Sequence, residues 1–211
     1  MENQQERKIG LILVFSVIVV GVLYQLLNLV PISMKILDPI SVVFNAALIG
    51  AISFAILKDE FTEWYKHFSV KWIIIGIPFL LLASMVGGKI WQVISGAGLT
   101  ANSINDMLTW KYVISHIPFM LMGEELLSIT LLYALWKKIS LKFWQASVIC
   151  SILFALWHLT AYSYNVPQIL ITLTAPRLVL NYVFKKSNSI WSSWIVHIVF
   201  DTLTFIPFLI K

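Results

Sequence analysis

Six ionisable side chains of this chain sit inside long apolar runs, where their types and spacing could do chemistry. Glu124 and Glu125 lie in one run, His158 in the next, Arg177 in a third, and His197 with Asp201 in a fourth. Ionisable groups at membrane depth cost a few kcal/mol each on insertion scales and usually mark a site. His197 and Asp201 are i, i+4 and share one helical face, as do Phe154 and His158. Glu124 and Glu125 are about 100° apart on a helix, so one can face a cluster while the other takes a different partner. Carboxylates and imidazoles converging between helices could ionise a water, hold a metal or carry protons. Phe154 reads as the side chain that shapes the pocket.

The elements that must position these residues follow from composition. The chain has 211 residues, 59% hydrophobic and only 12% charged, with mean hydropathy +0.87. A soluble domain carries about 25% charged residues, so a water-facing surface cannot be covered here. The expected fold is all-α: one transmembrane domain, 1–211, a polytopic bundle of about seven spans plus one interfacial helix. Apolar stretches long enough to cross are 9–30, 36–57, 72–95, 112–136, 143–163, 166–184 and 190–210, given about 20 residues per span. The first lacks a small-x-small cleavage site before Pro31 and reads as a retained anchor. Between the second and third, Phe61, Trp64, Tyr65 and Phe68 recur at i, i+3, i+4 and i+7, which predicts a short helix in the inner interface. The loop 96–111 reads as flexible and without chemistry.

Charge sets the expected orientation. Arg7, Lys8, Lys58, Lys66, Lys71, Lys137, Lys138, Lys142, Lys185 and Lys186 fall on one side of a seven-span arrangement. Lys35, Lys111 and Lys211 fall on the other. Basic residues favour the cytoplasm, so the expectation is a multi-pass cell-membrane protein with N-terminus inside and C-terminus outside. The basic residues form no stripe, which argues against nucleic acid as a partner. The single cysteine, Cys150, rules out an intramolecular disulfide framework. Default structural readings cover the rest: Asp38 as a helix start, His116 as structural, Lys89 as snorkelling, and Asn181, Trp157, Trp191 and Trp194 as interfacial belts or helix contacts.

The ionisable residues resemble the three motifs of the CAAX protease and bacteriocin-processing family (CPBP, or Abi), which includes the type II CAAX prenyl endopeptidases. Its motifs EExxxR, FxxxH and HxxxN or HxxxD are matched by Glu124-Glu125, by Phe154 through His158, and by His197 through Asp201. The resemblance covers about residues 110–205. It implies an intramembrane endopeptidase that hydrolyses a small membrane-associated peptide or protein, with Glu124 and His158 activating water. His197 and Asp201 would then stabilise the oxyanion or bind. Glu125 completes the implied catalytic set. An ionised Asp201 cannot donate a hydrogen bond, so it is protonated, orients His197, or joins Glu124, His158 and His197 around a divalent metal such as zinc.

The arginine of the first motif is replaced by Ile129, and Arg177 is the cation available to compensate Glu125. The missing arginine also leaves a second reading, a non-hydrolytic bacteriocin self-immunity factor or membrane chaperone that grips a peptide. A proton-coupled transporter would need inverted repeats, which the sequence does not show. The implied partners are the lipid bilayer and a peptide substrate.

Overall fold

A computed structural model describes residues 2–210. Nine α-helices carry the fold among these residues, in the order α1 (Glu2–Leu26), α2 (Met34–Leu57), α3 (Asp59–Lys66), α4 (Val70–Ser95), α5 (Trp110–Ser115), α6 (Ile117–Tyr133), α7 (Phe143–Leu156), α8 (Val166–Ser187) and α9 (Ile190–Leu209). The architecture is a helical membrane bundle. Five stretches are long and apolar enough to cross a bilayer: Asn3–Leu26, Lys35–Leu57, Val70–Ser95, Ile117–Lys138 and Ile190–Leu209.

The other two expected spans differ for identifiable reasons. The fifth, 143–163, is helical only to Leu156, and residues 157–164 are turns in which Ser163 and Tyr164 take positive φ. α8 has 22 residues, enough length to cross at 1.5 Å each, but it carries Gln168, Arg177 and Asn181. All three point inward and are buried, so its low hydropathy records a role inside the protein. The fourth span also departs from one regular helix. It breaks at His116, continues as α6, and ends in a π-helical turn, Ala134–Lys138.

Hydroxyl and amide side chains start four of the helices, as expected for N-caps. Ser69, Thr109, Asn165 and Ser189 accept from the backbone N–H groups of Trp72, Tyr112, Gln168 and Ser192. Asp38 is not a helix start, because α2 begins at Met34. It accepts instead from His116 Nε2 at 3.0 Å, tying α2 to the head of α6.

Helix α3 forms where its aromatic period predicted, but its stripe faces protein. Trp64 is 1% exposed and packs edge-on against Tyr133 and Phe184. Phe68 lies past the helix end and is exposed. Lys138, turned inward by the π-helical turn, bonds Glu6 at 2.6 Å and Glu60 at 2.7 Å, joining α1, α3 and the end of α6.

Two glycines allow the close helix pairs that hold the site. A Cβ on Gly123 would lie 2.9 Å from Asn45 Cβ and 3.1 Å from the Ala46 nitrogen, so α6 rests directly on α2. A Cβ on Gly87 would lie 2.9 Å from the Ile171 carbonyl oxygen, so α4 rests on α8 in the same way. Overpacking against backbone costs typically 1–3 kcal/mol or more. Gly123→Val is therefore expected to lower the thermal unfolding midpoint of the detergent-solubilised protein by several degrees, whereas Gly98→Val, with nothing within 4 Å of its Cβ, leaves it unchanged.

Candidate active site

Glu124 and Glu125 stand in the middle of α6 and face different surroundings. Glu125 is fully buried. Arg177 reaches it from α8 with both terminal nitrogens, Nη1 to Oε1 at 2.5 Å and Nη2 to Oε2 at 3.2 Å. Ser193 Oγ donates to Oε2, and His197 Nδ1 meets Oε1 at 3.0 Å. An ionised carboxylate offers about four lone-pair sites, and four donors fill them. Glu125 has no acceptor left for a substrate or a water.

Arg177 is itself held in place. Its Nε donates to Asn181 Oδ1 at 2.9 Å, and Asn181 Nδ2 donates to Ser147 Oγ at 3.0 Å and Ser151 Oγ at 3.3 Å on α7. The guanidinium also lies 5.3 Å from the Phe154 ring centre, over a face that favours cations. Ile129 is fully buried in the main apolar cluster of the bundle. The cation opposite Glu125 thus comes from α8.

Glu124, one residue earlier and about 100° round the helix, faces a cavity of about 750 Å³. His158 Nε2 stands 3.8 Å from its Oε1, and His197 Nε2 stands 4.0 Å from its Oε2. Asp201 Oδ1 is 4.0 Å from His197 Nε2 on the same helix. All four residues line the cavity, with Phe154 and Arg177 beside them.

Backbone and carboxylate partners fix which ring nitrogen faces inward. His158 Nδ1 is 2.9 Å from the Phe154 carbonyl, which can only accept, so Nδ1 carries a hydrogen. Its Nε2 is then the ring nitrogen that faces Glu124, an acceptor when the ring is neutral. His197 Nδ1 donates to Glu125 by the same logic, leaving Nε2 between Glu124 and Asp201. His158 lies on the turn just beyond α7, and Nδ1–H caps the helix end through Phe154.

A metal is a poorer match to these spacings than a water. Donors sharing a tetrahedral zinc at about 2.0–2.1 Å lie about 3.3 Å apart. Two hydrogen bonds meeting at one water oxygen span roughly 4–4.5 Å. Among the described residues, no group of three or more His, Cys, Asp or Glu side chains is placed to hold a metal ion.

Several contributors were not identified from sequence. Ser193 precedes His197 by four residues, as Asp201 follows it, so i, i+4, i+8 spacing on α9 was the available signal. Asn181 follows Arg177 by four and, of its two default readings, takes the helix contact and not the belt, being fully buried at the guanidinium. Gln168 had no such signal. It bonds the Thr100 backbone in both directions, at 2.8 and 2.9 Å, and ties the loop 96–111 to α8 where that loop lines the cavity.

The comparisons bear on this half of the chain. Residues 106–203 match the family model described as type II CAAX prenyl endopeptidase Rce1-like. The matched segment takes in all six ionisable residues of the site, from Glu124 to Asp201. No curated protein and no solved structure matches the chain. Within a helical membrane bundle, residues 106–203 are thus similar to a family of CAAX-type endopeptidases.

Removing one partner of a buried ion pair costs about 3–5 kcal/mol, because a charge stays buried without compensation. Arg177→Ala is expected to destabilise by that amount, read as a lower midpoint of thermal unfolding in detergent. A wild-type midpoint would show that the Arg177–Glu125 pair does not hold α6, α8 and α9 together.

Proposed function

We propose that this protein is an intramembrane endopeptidase that hydrolyses a peptide bond in a small membrane-associated peptide or protein, with Glu124 as general base. The observation that supports this most directly is the pair of inward-facing acceptors, Glu124 Oε1 and His158 Nε2, 3.8 Å apart on the cavity wall. One water fits between them and donates a hydrogen to each. Its free lone pair then points into the cavity, where a scissile carbonyl would lie.

As the water oxygen attacks the carbonyl carbon, Glu124 takes its proton. The tetrahedral oxyanion accepts from His197 Nε2–H when that ring is protonated. Glu124 then passes its proton to the leaving amine as the C–N bond breaks, giving a carboxylic acid and an amine. Glu125 is a positioning residue in this scheme: its four donors leave it unable to act as a base, and it holds His197 through Nδ1. Asp201 orients the same ring from the next turn of α9. The water is activated without a metal, in keeping with the 3.8–4.0 Å spacings of Glu124, His158, His197 and Asp201.

The peptide-binding alternative drew its motive from the missing motif arginine. Arg177 stands in ion-pair contact with Glu125, which supports a charge-compensated site despite Ile129.

The test uses purified protein in lipid vesicles with a library of hydrophobic peptides, prenylated and unprenylated, read by mass spectrometry. Wild type should cleave a member of the library. Glu124→Gln should lower the rate by a factor of about 10² to 10⁴ while leaving peptide binding intact, since a positioned base contributes that much. Strong chelators should leave the wild-type rate unchanged. Unaltered cleavage by Glu124→Gln would overturn the general-base assignment. A chelator-sensitive rate restored by zinc would overturn the metal-free scheme. Protection of cells against a bacteriocin by Glu124→Gln, with no peptide changed in mass, would favour the immunity reading.

A further inference from the structure

The cavity that holds Glu124 and His158 is not centred in the bundle. Most of its lining on the long helices comes from one end of each, with a few residues from mid-helix, such as Leu127, Leu180 and His197. The contributing residues include Tyr24 near the end of α1, Asp38 near the start of α2, Gly88 late in α4, Ile117 at the head of α6, Gln168 early in α8 and Thr204 late in α9. Because the helices alternate in direction, these positions all lie at one end of the bundle. Exposed residues of the loop between α4 and α5, Leu99 and Ala101, line the cavity at that end and form its rim.

The basic residues lie at the other end. Arg7 and Lys8 precede the apolar part of α1, Lys58 follows α2, Lys71 begins α4, and Lys142 and Lys186 flank α7 and α8. The cavity end carries Lys35, Lys89 and Lys111 among the described residues, and no lysine lines the cavity. The basic end is the cytoplasmic one by the positive-inside rule.

From these two asymmetries we infer that the site opens away from the cytoplasm, so that its substrate is a polypeptide segment presented at the outer face of the membrane. The inference rests on the protease reading for the word substrate, but the direction of the opening does not. The inner face is closed by protein. The Trp64 side chain, the Tyr133 and Phe184 rings and the Lys138–Glu60 pair fill that end of the bundle beneath the buried Glu125. A segment arriving from the cytoplasm would have to displace this packing. One arriving from outside meets the polar rim at Thr100, Asn102 and Thr160.

Single cysteines report the direction without any need for activity. Wild type is the blank, because its one cysteine, Cys150, is fully buried. In intact cells a membrane-impermeant maleimide should label Ala101→Cys and Thr204→Cys. Lys142→Cys and Lys186→Cys, exposed at the basic end, should label only after the membrane is permeabilised. Labelling of Thr204→Cys from outside should also abolish cleavage of the peptide identified with the wild-type enzyme. The reverse labelling pattern would overturn the inference, and so would undiminished cleavage after complete external labelling of Thr204→Cys. If Thr204→Cys fails to accumulate, Ala101→Cys on the surface loop decides the direction alone. A protein that labels as expected but cleaves nothing would refute the protease reading and leave the outward opening standing. One that cleaves but labels from inside would do the opposite.

Discussion

The pairing of Glu125 with Arg177 is the constraint from which the rest of the site follows. A carboxylate and a guanidinium at 0% exposure are tolerable only when nearly every donor and acceptor is used. Four donors from α8 and α9 satisfy Glu125, and Asn181 with two α7 serines satisfies the other side of Arg177. Four helices are thereby set at one depth and rotation. The His197 ring takes its direction from the same carboxylate, which leaves Nε2 facing the cavity. A charge pair that would be a liability in lipid thus becomes the device that orients the neighbouring groups.

The two adjacent glutamates show how one helix separates a saturated carboxylate from one that faces the cavity. Helical geometry turns Glu124 about 100° from Glu125, out of the saturated network and onto the cavity wall. There it retains acceptors, faces two imidazoles across water-bridged distances, and keeps 25% of its side chain exposed. The same division is made for the histidines by the partners of their Nδ1 atoms. The Phe154 carbonyl fixes the His158 tautomer, and the Glu125 carboxylate fixes that of His197.

The bundle around the site has two unlike ends. One is filled with aromatic rings and the buried Lys138 with its two glutamates, and the other contains the cavity. Packing of this kind leaves few voids, so a large space at one end, apolar for the most part but carrying the ionisable cluster, is a specific allocation of volume. Gly87 and Gly123 allow the helices beside the cavity to approach backbone to backbone.

Much of this was legible in the residues alone, for physical reasons. Apolar run length and scarcity of charge specify a membrane bundle, because a hydrocarbon core admits only helices or closed barrels. The cost of charge at depth singles out Glu124, Glu125, His158, Arg177, His197 and Asp201. Spacing on α9 pairs His197 with Asp201, and the absence of an arginine at Ile129 points to Arg177 as the compensating cation. The rest depends on contacts between residues far apart in the chain, which periodicity cannot carry. That Asn181 serves the guanidinium, that Gln168 pins the α4–α5 loop, that Trp64 faces protein rather than lipid, and that the expected fifth helix stops at Leu156 so His158 sits on a turn are all decided by neighbours on other helices. Sequence determined which groups must find partners in an apolar medium, because leaving them unpaired is too costly. Only the tertiary structure decided which partners those are, because the choice depends on how α6, α7, α8 and α9 rotate against one another.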